Sequence, residues 1–335
     1  MIAHEAWLKL TEEPPIDPEI PICDPHHHLW DRPNHRYLLE EFLQDTRRGH
    51  KIVRTVFLQC LMMYREDGPP EMQPVGETEF VQDITAKTLC GQYGMTTVAA
   101  GIVGFADLTL GAAIAPVLEA HMAAGRSRFR GIRCTSAWDA STEIRSLIND
   151  PHRLLDKKFQ EGFACLEKYG LSFDVWLYHT QLMDLFDLAS AFPGITIIVN
   201  HSGGPLGIGP YAGKRKEVFQ EWKGRIATLA TCPNVFMKLG GLGIPFAGFG
   251  WDEQATPPNS AELAETMAPY YHWCIEQFGV DRCMFESNFP ADRISYSYTV
   301  LWNAFKRISK GFSPRERAAL FHDTAVKVYR LATSY

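Results

Sequence analysis

The sequence is poor in the features that announce several large protein classes. It has no CxxC pair, no GxGxxG turn after an early strand, no tandem repeat and no low-complexity tract. Without paired cysteines there is no signature of a zinc ribbon or a thioredoxin-type centre. Without the glycine fingerprint, a dinucleotide-binding open sheet loses its main signal. Apolar runs stay far below the ~18–20 residues that a membrane span needs, and the start, MIAHEAWLKLTEEPP, lacks a basic-then-apolar leader pattern. Positive charge is also in deficit: 33 Lys and Arg face 39 Asp and Glu, a net charge of −6, with no basic stripe. That argues against a nucleic-acid face and for a small-molecule partner.

What is present is ordinary globular material, with 46% hydrophobic and 21% charged residues over 335 positions. The eight cysteines (23, 60, 90, 134, 165, 232, 274 and 283) mostly lie in apolar runs. They read as reduced, small buried hydrophobes, so a cytoplasmic chain is expected.

Short apolar runs alternate with longer amphipathic ones. The strand candidates are 20–28, 51–60, 96–105, 128–134, 171–178, 195–201, 234–240 and 282–287. They mostly lack polar alternation, as expected of parallel strands covered on both faces. Eight such strands with mostly helical connections predict an α/β fold, a (β/α)8 TIM barrel with C-terminal helices. Residues 1–19 read as an N-terminal extension and 20–335 as one barrel domain. Two connections, 61–79 and 241–258, are long and are expected near the mouth of a site.

In such a barrel chemistry sits at the C-terminal strand ends. Strand 1 ends in His26-His27-His28, strand 4 near Arg133, strand 5 in Tyr178-His179, and strand 6 in Asn200-His201. Strand 7 carries Lys238, and strand 8 runs into Glu286-Ser287-Asn288. Strand alternation explains the histidine triplet. His26 and His28 face the barrel axis, with Asp24 on the same side, while His27 faces the helices. Two imidazoles two residues apart can converge on one metal ion. The plainer reading is three satisfied polar residues at a strand end.

The ordered set DPHHHLWD, RGIRCTSAWD, YHT, VNHSGGPLG and RCMFESNFPADR resembles the amidohydrolase superfamily. More narrowly it resembles the amidohydrolase-2 branch, with its sugar lactonases and its 2-pyrone-4,6-dicarboxylate and muconolactone-type lactonases. The resemblance implies a barrel with metal ligands at His26, His28, His179 and His201, and a divalent ion such as zinc or manganese. It implies that Arg133 contacts a substrate carboxylate or ring oxygen, a task its planar fork suits. Where the family usually has a strand-8 aspartate, this chain has Asn288, and an amide cannot be a general base. A metal-independent site is therefore an open alternative.

Proton transfer then falls to Glu286, Asp292, His28 or His179, with Asn288 retained as a site residue. The competing reading for Glu286 is an ion pair with Lys238 or Arg133. Tyr178, Trp138 and His201 are expected to join Arg133 around the substrate. The reading is an enzyme that opens a lactone by water attack on the ester carbonyl. The alternatives are a metal-dependent decarboxylase of an aromatic or unsaturated acid, and a barrel that binds a small molecule without turnover. His272 and His322 read as structural, and a homodimer is compatible with the aromatic loops.

Overall fold

The chain is described here from a computed structural model covering residues 2–33, 35–89 and 96–331. Eight parallel strands pair in sequence order. They are β1 (Pro21–His27), β2 (Lys51–Leu58), β3 (Thr97–Gly104), β4 (Phe129–Thr135), β5 (Ser172–Trp176), β6 (Ile197–Val199), β7 (Val235–Leu239) and β8 (Cys283–Phe285). Just past β8 the ring closes onto β1: the Asn288 N–H donates to the His26 carbonyl (2.9 Å) and the His28 N–H to that of Phe289 (2.8 Å). Helices, among them α1 (Leu39–Thr46), α2 (Val75–Leu89), α3 (Ala115–Gly125) and α4 (Lys157–Lys168), cover the outside. The expected (β/α)8 barrel is the fold.

Several strands stop sooner than their apolar runs suggest. β6 ends at Val199, and residues 201–204 all have positive φ (His201 55°, Ser202 53°, Gly203 70°, Gly204 57°). Two glycines make that turn tolerable, because only glycine adopts this region without steric cost. β5 ends at Trp176 rather than Tyr178, and His179 opens a separate 3-10 turn, His179–Gln181.

Strand β1 departs from simple alternation. Its pairing with β2 shifts between Asp24 and His27. Cys23 packs with interior residues such as Val56, Leu58 and Ile198. Asp24 is turned the other way, accepting from the Tyr298 hydroxyl (2.9 Å) on the helix Tyr298–Ile308. His26 and His28 then face inward, and His27 stacks on Phe42 of α1 at 4.2 Å. So Asp24 does not share the histidines' face. The irregularity at Pro25 reverses the parity, since one extra residue flips every side chain beyond it.

The lower barrel is plugged by the C-terminus. Val326, Val328, Tyr329 and Leu331 pack against Cys23, Val56, Val103 and Met284. Each such side chain contributes ~1.5–3 kcal/mol by leaving water. Above the plug, Lys238 Nζ meets Asp174 Oδ1 at 2.8 Å with both side chains fully buried. Asn200 Nδ2 (3.0 Å) and the Tyr329 hydroxyl (2.8 Å) donate to the same oxygen.

One stretch, Leu108–Arg128, is long and apolar enough to cross a bilayer by length and composition, contrary to the sequence estimate. It is broken at Gly111 (φ 61°) and buries Leu108, Ile114, Val117 and Leu118 in the core. The N-terminal residues lie against the barrel: Trp7 Nε1 donates to the Gln254 carbonyl (2.9 Å) and the Thr11 hydroxyl to that of Pro257 (2.7 Å). Seven cysteines are free thiols, six of them buried, and Cys90 lies outside the described residues. His272 Nε2 bonds the Ile308 carbonyl (3.0 Å), and His322 Nδ1 bonds Asp323 (2.8 Å).

Candidate active site

At the C-terminal ends of the strands, residues far apart in sequence converge on Glu286. Its Oε1 accepts from both the backbone N–H and ring Nδ1 of His201, each at 2.8 Å. Its Oε2 lies 2.5 Å from His26 Nδ1, misaligned for a full hydrogen bond, and among the described residues neither atom has a hydrogen-bond partner. Glu286 therefore pairs with two histidines, not with Lys238 or Arg133. A carboxylate against Nδ1 fixes the tautomer and turns the Nε2 lone pair the other way.

His28 is fixed differently. Its Nδ1 donates to the Leu58 carbonyl (2.8 Å), which leaves Nε2 as the acceptor. That Nε2 stands 3.3 Å from His26 Nε2. Burial holds both imidazoles well below their ordinary value, helped by the positive charge of Lys238 beneath His26 and of Arg133 beside His28. Both are neutral at neutral pH.

Arg133 completes the group. One guanidinium nitrogen lies 3.3 Å from His26 Nε2, and the other donates to the Gln59 carbonyl. Burial lowers its pKa, but a guanidinium stays charged in a protein. The Gln59 carbonyl is itself held in place. Glu77, fully buried on α2, accepts from the N–H of Cys60 (3.0 Å) and of Met62 (2.8 Å). That bridge spans a turn where Leu61 and Met63 have φ of 66° and 54°. Burial pushes the Glu77 carboxyl up to about 7 despite those bonds.

A cavity of about 610 Å³ opens over this group. His28, His201, Arg133 and Asn288 line it, with Trp176 and Phe246 as aromatic walls. Asn288 has φ 55°, and its amide nitrogen donates to Asp292 Oδ1 (2.7 Å), leaving the amide oxygen as its uncommitted end. Asp292 is buried under Asn288. Its Oδ2 accepts from the Tyr296 hydroxyl (2.6 Å) and the Gly243 N–H (3.1 Å), and burial pushes it up to about 6.

Other expected residues lie elsewhere. His179 packs edge-on to Tyr211 (5.3 Å), accepts from the Leu206 N–H through Nδ1 (3.4 Å), and lines neither the main cavity nor the smaller one beside it. It follows β5 by three residues, so the end of β5 presents Trp176 to the cavity instead. Tyr178 lines the smaller space, of about 10 Å³, and its hydroxyl donates to the Arg145 carbonyl (2.7 Å). Trp138 touches neither space; its N–H donates to Gln181 Oε1 (3.1 Å). Of the long loops, Leu61 from one and Ile244, Pro245 and Phe246 from the other do line the cavity. The connection 136–156, which no motif marks beyond Asp139, also supplies part of its wall.

The donor set suits a divalent ion. Two imidazole nitrogens that share a tetrahedral ion at ~2.0–2.1 Å stand about 3.3 Å apart, and that is the spacing of the His26 and His28 Nε2 atoms. His26, His201 and Glu286 also bring ligand atoms within 4.8 Å of one another, all buried.

Comparison with known proteins places the chain in context. A profile described as Amidohydrolase matches residues 23–331. A protein of Sinorhizobium fredii with no characterized activity is 34% identical, over 93% of this chain and 99% of that one. An L-fucono-1,5-lactonase of Burkholderia multivorans is 26% identical, over 69% of this chain and 72% of its own length. A solved structure of a zinc-bound Burkholderia multivorans amidohydrolase superposes with a TM-score of 0.70 at 21% identity, over 93% of this chain and 99% of that chain. That likeness is one of fold. With its barrel, its paired strand-1 histidines and a family match over most of its length, the chain belongs to the amidohydrolase family.

Proposed function

We propose that this protein hydrolyses a lactone. The observation that carries the reading is His28: its Nδ1 is locked by the Leu58 carbonyl, so a neutral Nε2 faces the cavity beside Arg133. A water molecule there would give its proton to His28 Nε2 while its oxygen attacks the ester carbonyl; as the tetrahedral intermediate collapses, the ring C–O bond breaks and the leaving oxygen takes that proton to become the hydroxyl of the opened chain. Arg133 stands ready for the oxyanion, and one preorganised donor of that kind is worth ~3–4 kcal/mol. Glu286 holds the rings of His26 and His201 but does not reach the cavity, which makes it a positioning residue. The uncommitted amide oxygen of Asn288 can accept a hydrogen bond from a substrate hydroxyl or the attacking water. An ester is a softer target than an amide, so these groups suffice in principle. A zinc or manganese ion held by His26 and His28, with His201 at hand, would take up the His28 Nε2 lone pair, making His28 a ligand in place of a base, and would supply Lewis-acid polarisation of the carbonyl.

The test is a panel of lactones and unsaturated carboxylic acids followed by pH-stat, with the protein as purified and after chelation. Release of one proton per lactone opened, abolished in His28→Gln, supports the reading. Proton uptake with CO2 from an acid would replace it by decarboxylation. No turnover of any compound would favour a binding protein. Survival of turnover after chelation would assign carbonyl polarisation to Arg133 alone.

A further inference from the structure

The chain as a whole carries a net charge of −6, yet its cavity is strongly cationic. Among the described residues four arginines, Arg32, Arg133, Arg145 and Arg153, line it against a single carboxylate, Asp107. Asp107 is already used, since its Oδ1 accepts from the N–H (3.0 Å) and hydroxyl (2.6 Å) of Thr109. Two of the four guanidinium groups have evident tasks. Arg133 bonds the Gln59 carbonyl beside His26, and Arg32 donates to the Cys60 carbonyl (3.2 Å) while lying 4.2 Å over the Trp30 ring.

Arg145 and Arg153 have no comparable engagement. Among the described residues no carboxylate lies within 4.0 Å of Arg145, and Arg153 Nε has only Asp150 at 3.7 Å, beyond hydrogen-bond range. Both come from the connection 136–156. That connection is firmly built: the Leu147 N–H donates to the Ala137 carbonyl (2.9 Å), and Tyr178 and Tyr211 brace it through Arg145 O (2.7 Å) and Asp139 (2.8 Å). It therefore presents its two cations to the cavity from an ordered backbone. Leu147, Ile148 and Phe159 line the same cavity. Low-dielectric walls strengthen the field of uncompensated charge in a cleft, and a planar guanidinium grips a carboxylate through two parallel bonds.

We propose that Arg145 and Arg153 form an anion subsite, and that the preferred substrate is a lactone bearing a carboxylate away from its ester group. This rests on the lactone-hydrolase reading above. It gives Arg133 to the ester carbonyl and the other two arginines to the spectator anion, so the ring-opened product is a dicarboxylate.

The test uses matched pairs, such as γ-butyrolactone and 5-oxotetrahydrofuran-2-carboxylate, with the full chain and its R145Q, R153Q and double variants. Neither arginine is in the core, and circular dichroism checks folding. The wild type is expected to prefer the carboxylated member by at least ~100-fold in kcat/KM. That ratio should fall about 10-fold in each single variant and to within about 3-fold of unity in the double variant, mainly through KM. A wild type that prefers the neutral lactone, or a double variant that keeps the ratio, overturns the proposal. If neither lactone is opened, calorimetric titration with tetrahydrofuran-2-carboxylate and its neutral alcohol decides independently. Carboxylate binding lost in the double variant keeps the anion subsite while the lactonase reading fails; equal binding of the two compounds overturns the subsite.

Discussion

Glu286 Oε1 bonds the ring Nδ1 and the backbone N–H of His201 at the same distance, 2.8 Å, so one oxygen sets both where the imidazole sits and which nitrogen it protonates. In Glu286→Gln an amide cannot accept from His201 and balance His26 at once. Loss of such a supporting carboxylate typically costs ~10–100-fold, and kcat/KM should fall by that factor. Steady-state rates alongside a thermal melt separate this from simple unfolding.

His201 depends equally on the absence of a side chain. A Cβ on Gly241 would stand 2.3 Å from His201 Cγ and Nδ1, and Gly241 has φ 69°. Gly241→Ala should therefore lose ~1–2 kcal/mol through the backbone alone, and more through displacement of the ring, with a matching drop in rate. Gly224, exposed on the helix Arg215–Leu229 with nothing within 4 Å of its Cβ position, is the control. Gly224→Ala should gain about 0.5–1 kcal/mol. Urea midpoints of the two variants check both signs.

Beneath the imidazoles, Lys238 and Asp174 are each other's counter-charge in a place without water. Lys238→Met leaves Asp174 buried and uncompensated, which should destabilise by ~3–5 kcal/mol. Adding Asp174→Asn removes the stranded charge while keeping an acceptor for Asn200 and Tyr329. The double variant should recover much of the loss. A double variant no more stable than Lys238→Met would show that the pair is not what holds this layer.

Acid should weaken the fold. Burial holds His50, His121 and His179 near 4 and His27 near 3, with His26 and His28 also well below the ordinary 6.5. Below pH 6.5 the unfolded chain binds protons there that the folded chain refuses, so stability falls with pH at ~1.4 kcal/mol per unit and group. Asp24 and Asp292, raised to about 6, Glu77, raised to about 7, and Asp45, also raised, work in the opposite direction. They are outnumbered, so the denaturant midpoint should drop between pH 6.5 and pH 5. A midpoint that rises would mean the carboxyls dominate.

The apolar runs and their helical connections were enough to predict the barrel, because parallel strands covered on both faces can hardly be anything but continuous hydrophobic segments. The convergence of His26, His28, His201, Arg133 and Glu286 was legible for the same reason: in this fold the strand ends are neighbours, and a position counted from a strand end is a position in space. The count failed where a strand end was misjudged. The run LSFDVWLY stays apolar two residues past Trp176, so counting from its end puts His179 in a ring it does not join.

Side-chain parity was likewise readable only while the ladder ran without interruption. The shift at Pro25 kept His26 and His28 inward but turned Asp24 to Tyr298. Partnerships such as Lys238 with Asp174, between two barrel strands, and Glu77 with the Cys60–Met62 turn leave no local trace, since their spacing of 64 and 15–17 residues is set by tertiary packing and not by any period. The charge of the cavity belongs to the same class. Arg145 and Arg153 are two unremarkable arginines outside every motif, and only the path of their connection brings them to the mouth. Sequence alone thus determined the elements and most of the chemistry-bearing residues at their ends. Tertiary structure alone decided which of those side chains meet, which are turned away, and what charge the substrate finds.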